Sequence, residues 1–128
     1  TNVPGSSDYV LLSAVAYANS AKSRMLGVNP EVIRAHGAVS AEVAAEMAEG
    51  ARRISGASLA VSITGIAGPG GGSEDKPIGT VWFGIAMDGQ PTVTRHRLFP
   101  GERDQIRTLA AYTALRIMMR SALGQLDD

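Results

Sequence analysis

The chain has 128 residues, 45% of them hydrophobic and 19% charged, with twelve basic and twelve acidic side chains that cancel. That length suits one domain with its own core, the charge balance lacks the basic surplus of a nucleic-acid binder, and the absence of Cys excludes disulfide, thiol and cysteine–metal chemistry within these residues. No apolar run approaches a membrane span and no signal-peptide pattern is present, so the expected compartment is the cytoplasm, with no membrane partner.

Thr1 to Ser7 is loop chemistry without an initiator Met and reads as the interior of a longer chain. Asp8 to Ala16 is apolar and β-prone, which predicts a strand. Asn19 is the expected cap of a short helix that runs to Leu26 and stops at Gly27. Pro30 opens another short helix, to about Ala35. Ser40 caps a stronger helix whose Val43, Ala44, Met47, Ala48, Ala51 and Ile54 share one face, with an i,i+4 pair expected between Glu49 and Arg53, and Gly56 as its stop. Leu59 to Thr64 reads as a strand buried on both faces.

Residues 65–79 form a glycine-rich loop. Thr80 to Met87 is the next strand, Asp88-Gly89 a hairpin turn, and Thr92 to Phe99 the returning strand. A long helix from about Arg103 to Leu123 follows, with Ile106, Leu109, Ala110, Ala114, Ile117 and Met118 as its apolar set; Gly124 and the acidic tail end it. Helices alternating with strands around one antiparallel hairpin predict a three-layer α/β/α domain. Ligands in such sheets bind beyond strand C-terminal ends, where Thr64 is placed and where Tyr17 follows the first predicted strand.

Six of the 15 glycines lie between Gly65 and Gly79. Such clustering costs chain entropy, and a strand opening into glycine presents backbone N–H groups to a ligand. The stretch Thr64-Gly65-Ile66-Ala67-Gly68-Pro69 is the candidate contact, against the alternative of a merely flexible loop. It is neither a Walker A loop nor a dinucleotide fingerprint. Ser73 and Lys76 have Ser-x-x-Lys spacing, but flanking glycines and Pro77 preclude the helix such a catalytic pair needs.

Ten of the twelve basic residues are Arg; only Lys22 and Lys76 are Lys. An amine can act as a base where a guanidinium cannot. In Tyr17-Ala18-Asn19-Ser20-Ala21-Lys22 one helical turn brings Lys22 back toward Tyr17, and such a pair can shuttle a proton to and from a Ser nucleophile. The plainer alternative is an exposed Lys beside a packed Tyr. Arg103 and Arg107 occupy the first turns of the last helix, where cations are unfavourable unless an anion such as phosphate reverses the sign. The alternative is ion pairing with Glu102 or Asp104. His36 and His96 are isolated, and no metal site is expected.

Val3-Pro4-Gly5-Ser6-Ser7, Tyr17 to Lys22, Leu26-Gly27-Val28, His36-Gly37-Ala38-Val39-Ser40, Thr64 to Gly71, Lys76 to Trp82 and Gly101-Glu102-Arg103 form an ordered set along essentially the whole chain. In this set the sequence resembles the CinA C-terminal domain family, whose stand-alone members are nicotinamide mononucleotide (NMN) amidohydrolases of the PncC type. The resemblance implies hydrolysis of the NMN carboxamide to nicotinic acid mononucleotide and ammonia, in pyridine nucleotide salvage, without a cofactor. The family uses a Ser nucleophile with a Lys and a Tyr nearby, which Lys22 and Tyr17 match. Thr64 and Gly65 match residues at the substrate site, and Arg103 a family Arg near the ligand.

The implied fold is an anticodon-binding-domain-like α/β/α sandwich with a mixed sheet, assembled as a homodimer or higher homo-oligomer. The family nucleophile belongs to a Glu-Ser-Cys-Thr-Gly-Gly segment upstream of the Pro-Gly-Ser-Ser loop. That segment precedes these residues. The single domain, residues 1–128, is therefore expected to be preceded by an N-terminal strand and helix, because losing that strand would leave apolar neighbours and ladder groups uncovered; the alternative is a truncated fragment without them. The alternative function is a non-catalytic nucleotide- or partner-binding module.

Overall fold

A computed structural model describes residues 1–126. After a 3₁₀ turn at Ser6–Asp8 come helices α1 (Asn19–Leu26), α2 (Pro30–His36) and α3 (Ala41–Ser55). Strands β1 (Leu59–Gly65), β2 (Thr80–Met87) and β3 (Val93–Leu98) and helix α4 (Arg103–Ala122) follow. The three strands form one antiparallel sheet in the order β1-β2-β3. Helix α3 covers one face, with α1 and α2 packed against it, and α4 covers the other, so the fold is α/β in three layers.

The predicted strand at Asp8–Ala16 does not form. Its residue types favour extended chain, and Ala14 and Ala16 do lean on the α1–α3 core. A strand also needs a ladder partner, and among the described residues none pairs with it. The sheet of these residues is accordingly antiparallel throughout, without the parallel pairing of a mixed sheet.

Expected helix signals mostly hold. Ser40 Oγ accepts from Val43 N at 3.3 Å, Pro30 opens α2 after an unpredicted Asn29 cap, and Gly27, Gly56 and Gly124 adopt the left-handed conformation at helix ends. Asn19 is not the cap of α1; it is the first helical residue, after Ala18. The Glu49–Arg53 pair gives way to a bond from Arg53 Nη2 to Leu26 O at 3.3 Å, which satisfies a carbonyl at the end of α1. Gly50 lets α1 lie against α3, since a methyl there would stand 1.7 Å from Leu26 O. The turn after β2 extends beyond Asp88-Gly89, and β3 starts at Val93. The acidic pair Asp127 and Asp128 lies outside the described residues.

Strand β1 is not buried on both faces; it alternates. Ala60, Ser62 and Thr64 are buried toward α3, while Leu59 and Val61 pack on the α4 side. Small residues face α3 because that helix comes close. Ser62 Oγ donates to Ala44 O at 2.6 Å and accepts from Gly84 N at 3.1 Å, so this buried hydroxyl is satisfied on both sides. On the opposite face Val81, Phe83 and Ile85 meet Ile106, Ala110, Ala114 and Ile117. Burying a side chain of Phe83's size contributes about 1.5–3 kcal/mol. This core fixes the start of α4, and with it Arg103.

Candidate active site

The site begins where the irregular segment turns into α1. Its backbone doubles back, and Lys22 Nζ donates to Ala16 O at 3.0 Å and to Tyr17 O at 3.2 Å. Lys22 is only 7% exposed. Burial lowers its amine below the usual lysine range, partly offset by the charge of nearby Tyr17. The amine therefore meets the main chain of Tyr17. The phenol itself is exposed and turns elsewhere.

Tyr17 Oη accepts from Arg103 Nη2 at 3.1 Å, and Arg103 Nη1 donates to Gly68 O at 3.0 Å. The guanidinium fork so ties the start of α4 to the segment before α1 and to the glycine loop. Arg103 stands at the first position of a 20-residue helix whose cap residue, Glu102, makes no side-chain capping bond. Cationic side chain and helix N-terminus thus reinforce one another at this point.

Thr64 is buried, and its Oγ1 donates to Ala38 O at 2.7 Å. It joins the strand end to the His36–Ser40 turn. Gly65 ends β1, where a methyl would stand 2.8 Å from Val81 Cγ2. Gly68 has φ +82, and a methyl there would stand 2.8 Å from Ile78 Cγ2. Both positions exclude side chains, which is why the loop needs glycine there. Among the described residues the N–H groups of Ala67, Gly68, Gly70, Gly71 and Gly72 donate to no protein acceptor. Gly68 is nonetheless buried.

Tyr17, Lys22, Gly68 and Arg103 are thus linked by hydrogen bonds, and Thr64, Gly65 and Ala67 adjoin Gly68 along the chain. Arg107 is not among them; it faces Asp104 at 4.0 Å in an exposed pair. Ser73 and Lys76 form a turn, not a helix. His36 lies 3.7 Å from Glu42 and His96 stacks on Trp82, with ring centroids 4.8 Å apart. No group of potential metal ligands occurs among the described residues, and no described helix is long and apolar enough to cross a membrane.

Sequence reasoning missed two features. The Gly68 carbonyl is an acceptor, which residue type cannot reveal. Lys76 Nζ donates to His36 O at 2.6 Å; its only sequence signal is the scarcity of Lys in an Arg-rich chain.

Comparison with known proteins gives one family. The CinA C-terminal domain model matches residues 1–122. A CinA-like protein of Geobacter metallireducens is 52% identical over 124 residues, which are 97% of this chain and 30% of that protein. A CinA-like protein of Mycobacterium tuberculosis is 48% identical over 124 residues, or 97% and 29%. The chain spans about 30% of the length of the curated relatives it matches. Among solved structures, the competence/damage inducible protein CihA of Agrobacterium tumefaciens superposes with TM-score 0.77 at 41% identity, over 80% of this chain and 63% of that one. The competence damage-inducible protein A of Klebsiella pneumoniae gives TM-score 0.79 at 34% identity, over 88% and 69%.

Proposed function

The chain belongs to the CinA C-terminal domain family, and on that premise we propose that it forms the proton-transfer and substrate-holding part of an amidohydrolase that converts NMN to nicotinic acid mononucleotide and ammonia. One observation carries the reading: the Lys22 amine is almost wholly buried and donates to the Ala16 and Tyr17 carbonyls, and that burial holds it below the usual lysine range.

A neutral amine has two N–H bonds and one lone pair. The Ala16 and Tyr17 carbonyls occupy both N–H bonds, which leaves the lone pair as the only direction for accepting a proton. In the proposed reaction a Ser hydroxyl, from the segment that the family resemblance places upstream, attacks the carboxamide carbon. Lys22 takes the Ser proton as the C–O bond forms. The C–N bond then breaks, and ammonia leaves with the proton returned by Lys22. Water cleaves the resulting acyl-enzyme by the same route and releases the carboxylate.

The negative oxygen that develops on the carbonyl, or the ribose phosphate, is an anion. The undonated N–H groups of Ala67 and Gly68, the Arg103 guanidinium and the start of α4 supply donors of the right sign. The test is incubation of the full-length protein with NMN, reading ammonia and nicotinic acid mononucleotide together. Equimolar release of both supports the proposal. NMN that binds and is recovered intact refutes it and favours a non-catalytic binding module.

A further inference from the structure

The glycine loop is rigid at its root and unsupported at its tip. At the root, Ile66 N donates to Thr80 O at 2.9 Å and Gly79 N to Ile66 O at 2.7 Å. The Ile78 side chain lies where methyl groups on Gly68 or Gly72 would be. Beyond that, Gly70 to Gly72 are exposed, and their N–H groups have no acceptor among the described residues. Three consecutive glycines in such a setting have more backbone freedom than any other residue type. A loop that presents unpaired donors to a ligand must be held, or each binding event bears the cost of ordering it.

Lys76 is the contact that reaches outward from this tip. Its direction is set by a closed turn in which Ser73 N donates to Lys76 O at 2.9 Å and Lys76 N donates to Ser73 Oγ at 3.1 Å. Its Nζ then crosses to His36 O at 2.6 Å, and a methyl on Gly37 would stand 3.0 Å from that amine. The acceptor is part of a fixed anchor. Three successive carbonyls there are gripped by three elements: His36 O by Lys76, Gly37 O by Ser40 Oγ at 2.9 Å, and Ala38 O by Thr64 Oγ1 at 2.7 Å. On its other side the loop offers Gly68 O to Arg103, which holds Tyr17. Loop position and the Arg103–Tyr17 pair are therefore mechanically joined.

We propose that Lys76 is a positioning residue: its ammonium latches the glycine loop to the His36–Ser40 turn and so sets the loop's shape for binding the anionic part of a nucleotide amide. This rests on the amidohydrolase reading of the site. Lys76 touches no reacting atom, so its loss acts on binding and not on the chemical step.

The test compares full-length wild type, Lys76→Met and Lys76→Arg, by amide exchange and by kinetics with NMN. Peptides spanning residues 68–80 report the bonded amides of Ser73, Lys76, Gly79 and Thr80. One charge-assisted bond at an exposed site corresponds to roughly a 3- to 10-fold effect. In Lys76→Met, exchange in this segment quickens by about that factor and KM for NMN rises by a similar one, with kcat within about twofold. Lys76→Arg, which can still donate to His36 O, restores both. Unchanged exchange in Lys76→Met overturns the latch, and so does faster exchange with an unchanged KM. If the wild type releases no ammonia, the amidohydrolase reading fails by itself, and exchange alone then rules on the latch.

Discussion

Arg103 is the joint on which the site's assembly depends, and replacing it gives a graded prediction. Its two bonds, 3.0 Å to Gly68 O and 3.1 Å to Tyr17 Oη, run from one cation to two neutral acceptors. Charge-assisted hydrogen bonds contribute about 1.5–3 kcal/mol when buried. These are partly or fully solvent-accessible, so about 1 kcal/mol each is the appropriate figure. Lys at this position reaches one acceptor and gives up the other. Arg103→Lys should therefore lower kcat/KM for ammonia release from NMN about 5-fold. Arg103→Met loses both bonds and should lower it by at least about 30-fold, and further if the guanidinium also faces the substrate's charge. The fold should persist, because Arg103 is exposed and the α4 core starts at Ile106. The assay is steady-state ammonia release, with thermal melts as the control. A well-folded Arg103→Met variant within about twofold of wild type would refute the reasoning.

Two further outcomes follow from packing and from charge. Gly84→Ala would place a methyl 2.1 Å from Ala44 O and 2.7 Å from Ser62 Oγ. Because backbone must move to admit it, the cost should reach about 2 kcal/mol or more, a drop of roughly 10 °C in Tm by scanning calorimetry; a shift under about 2 °C would contradict the close approach of α3. The second outcome concerns Lys22, whose folded-state value lies below the 10.5 of a free lysine. Between those two values the unfolded chain binds more protons than the folded one, so this group makes stability rise with pH across that window and adds no slope below it. Unfolding free energies from urea titrations of wild type and Lys22→Met, plotted against pH, should diverge in slope as pH approaches 10.5; parallel plots would show an amine with no shift.

Sequence alone makes the helices and the hairpin legible, because their signals are local. The face of α3 (apart from Ile54, which is exposed), the Ser40 cap and the Gly27 and Gly56 stops depend on residues within a few positions of one another. The strand at Asp8–Ala16 is illegible for the opposite reason: propensity lies in the segment, whereas a ladder belongs to two segments. Strand β1 misleads because its polar Ser62 and Thr64 are the inward residues, each bonded to a carbonyl in or before α3. Small side chains opposite Gly84 are the signal of that close helix. The site is half legible. Lys22 reaches the Tyr17 main chain five residues away, a local contact, whereas its amine does not meet the Tyr17 phenol that the spacing suggests. Arg103 reaches Tyr17 across 86 residues, so spacing cannot predict the bond, although a cation at a helix start hints at a purpose.

The proposed reaction requires Lys22 to exchange a proton with the reacting centre. The most direct measurement is the rate of ammonia release from NMN by full-length wild type and Lys22→Met at one pH, under saturating substrate. Losing a positioned proton-transfer group lowers the rate by about 10²–10⁴-fold, and Met preserves much of the buried alkyl chain, so the folded variant should fall in that range. A folded Lys22→Met protein turning over at a near-wild-type rate would contradict the account.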